Sequence, residues 1–298
     1  MHPIEQLRFV ARAGGADARL LVEEAASALT TFRRDHRALV MACRRLVDRQ
    51  PAVAPLWWLC SRLVTTGDVA AEVRSIVLEV RNDPTSASLA GYLERLAGLA
   101  SSDDGPVSHP DCGVRVAIAG WPDVVVAGII EASDRPSSVD FGVSVLDLDG
   151  DGPAVVRHLD RNDIEAGLVD PAGAAAAARS ADLIVVEALA TNGRLLAIDG
   201  ASAALSAAAL AAGIPVCCVV PAGRALYDQY LDAVLGAGES HAFSPSPLPA
   251  IEEVSMELVD TVITGDNVLT RSGPTEPWME SVHRALTPAW PMASELLH

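Results

Sequence analysis

Residues 182–221 read DLIVVEALATNGRLLAIDGASAALSAAALAAGIPVCCVVP. The apolar run Leu183–Val186 has the length of a buried strand and ends on an acid, Glu187. Asn192-Gly193 marks a tight turn. Asp199 is placed to cap an Ala-rich helix over 200–212, and Gly213 to close it. Gly213-Ile214-Pro215 then turns the chain into a second apolar strand, Val216–Val220. Strand, helix and strand in this order predict a parallel sheet with a right-handed crossover. Glu187 then stands at the C-terminal end of a parallel strand, where open α/β sheets hold their ligands.

The same alternation extends towards the N-terminus. Val114–Ala119 (VRVAIA) reads as a strand, and Gly120-Trp121-Pro122-Asp123 opens a helix with Pro122 in its first turn. Phe141–Leu148 (FGVSVLDL) is a second strand ending in acids, and Leu168-Val169 a short one. Beyond the quoted stretch, residues 251–273 offer a last strand or short helix and a turn at Gly265–Asn267. Residues 3–100 carry helical spacing instead: Leu20, Leu21, Ala25, Ala28, Leu29 and Phe32, then Leu39, Val40, Cys43, Leu46 and Val47 with arginines interleaved. Pro51 stops that helix, another starts near Pro55, Gly67 ends it, Asp68 caps the next, and a further helix covers roughly 86–99. The turn-rich SSDDGPVSHP of Ser101–Pro110 is the expected linker. The reading is therefore two domains, 1–104 and 105–298.

Composition narrows the function classes. Half of the 298 residues are hydrophobic, enough for a sizeable core. No apolar run reaches the roughly 18 residues of a membrane span, and no signal-type apolar segment opens the chain. The five cysteines include no Cys-x-x-Cys pair, which fits neither a disulfide framework nor a zinc site. A reducing cytoplasm is the expected setting. Residues 1–104 balance 13 arginines with 13 acids; residues 105–298 hold 9 arginines and 26 acids, which accounts for the net charge of −17. So acidic a C-terminal part argues against nucleic acid as a partner. The absence of lysine removes Schiff-base chemistry and a P-loop.

The order of apolar strand, acid, Asn-Gly, helix, Gly-Ile-Pro, strand and Pro resembles the family of initiation factor 2B regulatory subunits, which includes methylthioribose-1-phosphate isomerase and ribose-1,5-bisphosphate isomerase. Val254–Thr270, VSMELVDTVITGDNVLT, looks like that family's closing segment. The resemblance implies a helical N-terminal domain followed by a Rossmann-like α/β domain with a mainly parallel sheet. It also implies a homodimer or another protein partner, and a sugar phosphate or nucleoside monophosphate as ligand. No cofactor, metal, nucleic acid or membrane is expected.

The departures bear on chemistry. Where the family's isomerases carry Gly-Ala-Asp, Val186-Glu187 keeps the acid one methylene longer. Asn192-Gly193 is kept, but Ala197-Ile198 replaces an Asn-Lys pair that holds substrate. The loop Ala119-Gly120-Trp121 lacks the catalytic cysteine, and DLDGDGPA (147–154) replaces a phosphate-gripping Arg-Pro. Arg12-Ala13-Gly14-Gly15 is similar to the family's phosphate-binding Arg-Gly-Ala. Glu187 is thus the one candidate acid/base, with Arg12, Gly120, Trp121, Asn192 and Asp199 as candidate ligand contacts. Aldose–ketose isomerisation needs an acid and a base within reach of the substrate. The expectation is a non-catalytic protein that works by protein contact or by sensing a small ligand. An isomerase rebuilt around Glu187 is the alternative.

Two further motifs are explained more simply. Asp147, Asp149 and Asp151 mimic the start of a calcium loop, but His158 stands where the bidentate Glu belongs. Gly200-Ala-Ser202-Ala-Ala204 resembles a nucleophile elbow without its closing glycine.

Overall fold

The computed structural model describes residues 18–100, 113–135, 140–147, 150–239, 251–271 and 277–297. The expected linker and Arg12 lie outside these residues.

Four helices open the described chain: α1 (Ala18–Leu29), α2 (His36–Arg49), α3 (Ala54–Thr65) and α4 (Val69–Arg81). Asp35 caps α2 by accepting the Ala38 amide at 2.9 Å, and Asp68 caps α4 by accepting that of Ala71 at 3.0 Å. In α2 the buried positions are Leu39, Cys43, Leu46 and Val47, and Arg37, Arg45 and Arg49 are exposed. The neighbouring α3 is buried on nearly every side, including Trp57 and Trp58, so the other helices pack around it. α5 (Thr85–Ala100) leaves this group and lies against the sheet.

The remaining chain runs β1 (Val114–Ala119), α6 (Asp123–Ser133), β2 (Phe141–Leu146), α7 (Gly152–Asp160), β3 (Glu165–Val169), α8 (Ala174–Ser180) and β4 (Leu183–Glu187). A hairpin of β5 (Ala190–Thr191) and β6 (Leu195–Ile198) follows, then α9 (Gly200–Ala212), β7 (Val216–Val219) and α10 (Asp228–Glu239). β8 (Glu252–Ser255), β9 (Thr261–Ile263), β10 (Val268–Thr270) and α11 (Trp278–Leu286) complete it. Seven strands form one sheet in the order β3-β2-β1-β4-β7-β9-β10, all parallel except β10. The order reverses between β1 and β4, so a crevice opens where Ala119 and Glu187 end their strands.

Strand alternation sorts the core. Ile184, Val186 and Cys218 face the side covered by α8, α9 and α11, whereas Leu183, Val185 and Cys217 face α5, α6 and α7. The adjacent cysteines therefore belong to opposite faces. Cys43, Cys60, Cys217 and Cys218 are all free and buried. A third core cluster joins the N-terminal helices to Leu226, Tyr230 and Val234 and to Ala293 and Leu296 near the C-terminus. There Tyr230 Oη donates to the Ala293 carbonyl at 2.8 Å, and the Ala293 amide donates to Ser61 Oγ at 2.7 Å.

The structure changes several sequence-based expectations. β2 stops at Leu146 rather than Leu148, because Asp147 turns back and its Oδ1 accepts the amides of Gly150 (2.8 Å) and Gly152 (3.2 Å). Pairing with β2 lengthens β3 to five residues. The segment expected to hold one strand or a short helix holds three strands. β9 and β10 form a hairpin about the anticipated turn, while β8 pairs with β6 in a separate antiparallel sheet ordered β5-β6-β8.

Candidate functional site

β4 is flanked on both sides, with Val116 and Ala117 of β1 opposite Leu183 and Ile184, and Val219 of β7 opposite Glu187. Alternation turns Glu187 to the same face as Val185, the face covered by α6. α6 begins with Pro122 at its cap position, so no capping side chain precedes it. A helix start leaves its first amides without intrahelical acceptors. Glu187 supplies the missing acceptor: its Oε2 takes the Val124 amide at 2.9 Å and that of Val125 at 3.4 Å. Its Oε1 lies 3.7 Å from Nη2 of Arg224, whose Nη1 donates to the Leu189 carbonyl at 3.2 Å. Both side chains are largely buried, at 11% and 13% exposure.

Burial pushes the Glu187 carboxyl above the usual carboxylate range, and Asp123 adds to the rise. Arg224 and the two amides pull it back, without reversing it. Nearby Cys218 is pushed far up by burial and by the Glu187 charge, so its thiol stays protonated.

Glu187 opens onto a cavity of about 210 Å³ between the N-terminal helices and the switch point of the sheet. Asp123, Val124, Pro221 and Arg224 line the sheet side; Arg19, Val22, Pro55, Arg81 and Asp83 line the helical side. Arg81 Nη2 is 2.5 Å from Glu23 Oε2, and Arg19 Nε is 3.6 Å from Glu23 Oε1. The hydrogen bond from Arg81 is the main influence holding the Glu23 carboxyl down. Asp83 ties the two halves together, its Oδ2 accepting the Ala222 amide at 2.8 Å and its Oδ1 that of Thr85 at 3.1 Å.

Of the residues singled out in the sequence, Glu187 lines this cavity. Gly120, with φ +59°, turns the chain out of β1, and Trp121 stands beside the crevice, 39% exposed and stacked on His158 at 5.7 Å. Neither reaches the cavity wall. Asn192 sits in the β5–β6 turn. Its Oδ1 accepts the amides of Arg194 (2.9 Å) and Leu195 (2.8 Å), and its Nδ2 donates to Asp228 Oδ1 at 2.9 Å. Asp199 caps α9, accepting from Ser202 N at 2.8 Å and from Ser202 Oγ at 2.6 Å. Asp147 serves its own loop, and Asp149 lies outside the described residues. Among the described residues no group of three or more His, Cys, Asp or Glu is arranged to hold a metal ion.

Arg19, Arg81 and Arg224 also line the cavity and belong to none of the sequence motifs. Arg224 had a local signal, since it follows β7 in Pro221-Ala222-Gly223-Arg224, a strand end equivalent to that of Glu187. Arg19 and Arg81 come from separate helices and had none.

The fold is that of the initiation factor 2B subunits. Residues spanning 91% of the chain superpose on 97% of a translation initiation factor eIF-2B from Pyrococcus horikoshii OT3, with a TM-score of 0.68 at 16% identity. The beta subunit of eIF2B from Chaetomium thermophilum gives 0.65 at 14% identity over 96% of this chain and 90% of that one. A chain of the tetrameric beta2-delta2 eIF2B complex from the same organism gives 0.66 at 15% identity over 90% of each. No protein-family model and no curated protein sequence matches the chain.

Proposed function

We propose that the chain is a divergent, non-catalytic member of the initiation factor 2B and sugar-phosphate isomerase family, acting through protein contacts and by sensing a small hydroxyl-bearing ligand in the cavity at Glu187. One observation carries this reading: the Glu187 carboxylate is engaged on both oxygens, by the α6 amides and by Arg224. Aldose–ketose isomerisation needs a group free to take a proton from one carbon and a second to serve the neighbouring oxygen. Among the described residues the other carboxylates of the cavity wall are Asp83, bound to backbone amides, and Asp123, which raises the Glu187 pKa rather than relieving it.

The proposal includes a cytoplasmic homodimer. Its support is the similarity to a subunit whose own structure is a beta2-delta2 tetramer, and two-fold closure is the commonest form of assembly. Among the described residues no helix is long and apolar enough to cross a membrane.

The test is to incubate the protein with a panel of pentose phosphates and follow aldose–ketose conversion by NMR, alongside thermal unfolding with the same compounds, nucleosides and nucleoside monophosphates. We expect no conversion, and stabilisation by at least one compound. A ligand at a hundred times its dissociation constant adds about 2.7 kcal/mol. Catalytic turnover defeats the non-catalytic reading. Silence across the panel defeats ligand sensing. Sedimentation as a monomer at micromolar concentration defeats the homodimer.

The second reading, an isomerase using Glu187, is favoured by the raised pKa of a buried carboxyl in a cavity. A Glu187→Gln chain would then lose whatever conversion the wild type performs.

A further inference from the structure

The amides at the start of α6 form a seat for an anion, and they point at a cavity that also holds three arginines. Helix starts of this kind bind phosphate through their free amides and the helix dipole. Here the seat is filled from within the chain: Glu187 Oε2 holds both the Val124 and the Val125 amide. The arginines are committed as well. Arg224 faces Glu187, and Arg81 and Arg19 share Glu23. Asp83 and Asp123 add two further acids to the wall. Among the described residues the cavity therefore has polar groups in plenty and no surplus of positive charge. An entering phosphate meets the Glu187 carboxylate in the place that best suits it, in a buried setting where like charges repel strongly.

We infer that Glu187 sets the ligand class of this cavity: its carboxylate occupies the anion seat, so the cavity admits neutral, hydroxyl-bearing ligands and refuses phosphorylated ones. Hydroxyl groups suit such a wall, because they donate to the carboxylates and accept from the guanidinium groups. The small volume, below the range typical of drug-sized ligands, limits the guest to about the size of a sugar or a nucleoside. The inference rests on the reading of this cavity as a ligand site and adds the residue that decides what enters.

The experiment titrates inorganic phosphate and ribose 5-phosphate into the wild-type chain and into Glu187→Ala by calorimetry, with circular dichroism to confirm that the variant is folded. Losing the carboxylate empties the seat and leaves Arg224 without its counter-ion. We expect both probes to bind Glu187→Ala at least tenfold more tightly than wild type, equivalent to about 1.4 kcal/mol. If Glu187→Ala does not fold, Glu187→Gln, which keeps the shape and removes the charge, is read in its place with the same sign expected. Wild-type binding of either probe as tight as that of the variant, or in the micromolar range by itself, overturns the inference. So does a folded variant that binds neither. Turnover of ribose 5-phosphate by the wild type would defeat the non-catalytic reading. Equal phosphate affinities without turnover defeat only the assignment of Glu187.

Discussion

The β4–α6 crevice and the β5–β6 turn solve one problem with different chemistry. In each, a side chain just beyond or at a strand end satisfies two backbone amides: Glu187 those of Val124 and Val125, Asn192 those of Arg194 and Leu195. Asn192 is neutral and 8% exposed, and the Asn192 carbonyl meets His283 Nδ1 of α11 at 3.0 Å. Its donors and acceptors are consumed by the fold. Glu187 brings a charge into a similarly protected place and borders a cavity. That combination raises its pKa and gives the crevice a chemical preference that the turn lacks. Glu187 itself lines its cavity, whereas the cavity of about 470 Å³ beside the turn is bordered by Arg194 and His283 and not by Asn192.

The largest expected effect lies in the turn. Gly193 has φ +80°, and a Cβ there would stand 2.7 Å from the His283 Cα. Gly193→Ala should cost about 2–4 kcal/mol from left-handed strain and overlap with the α11 backbone, measured by urea unfolding. A cost near zero would show that α11 moves away freely and that the turn is not sealed.

Glu187→Ala should cost less, about 1–3 kcal/mol, because two amides lose their buried acceptor while water or an anion enters from the cavity. Glu187→Gln should cost less again and should alter the pH dependence. The folded pKa of Glu187 is raised, so the folded chain holds this proton more tightly than the unfolded chain. Wild-type stability is therefore greatest, relative to Glu187→Gln, below the usual carboxylate pKa. It falls as pH rises through the raised value and is flat above it. Urea unfolding of both chains across that window gives the difference, and a difference rising with pH would contradict the assigned shift.

Asp199→Ala calibrates these numbers, as Asp199 is a helix cap outside the wall of the Glu187 cavity. About 1 kcal/mol is expected. Trp121→Ala, at the exposed rim, should change stability by no more than about 0.5 kcal/mol. A larger loss would mean that the stack on His158 supports the crevice.

The features legible in the sequence were those decided locally. Asp199 and Gly213 bound α9 as expected, because a cap needs only an oxygen three residues before an amide and a residue able to adopt positive φ. Leu183–Glu187 was recognisable as a buried strand because every residue from Leu183 to Val186 is apolar. The sheet β5-β6-β8 was hidden: β5 has two residues and β6 four, and β6 gains its partner β8 from residues 252–255. The site was half visible for the same reason. Glu187 follows from strand position alone, whereas the pairing of Arg19 and Arg81 through Glu23 exists only once α1 and α4 have packed. Asn192 was singled out by its resemblance to a motif, and nothing in its neighbours in sequence indicates that Asp228 and His283 close over it.

Amide hydrogen exchange at Val124 and Val125 tests most directly whether Glu187 fills the anion seat of α6. Slow exchange is expected at both amides in the wild type, faster exchange in Glu187→Ala while the rest of α6 stays protected, and recovery of protection when phosphate is added to the variant. Equal exchange in the two chains, with no response to phosphate, would contradict it.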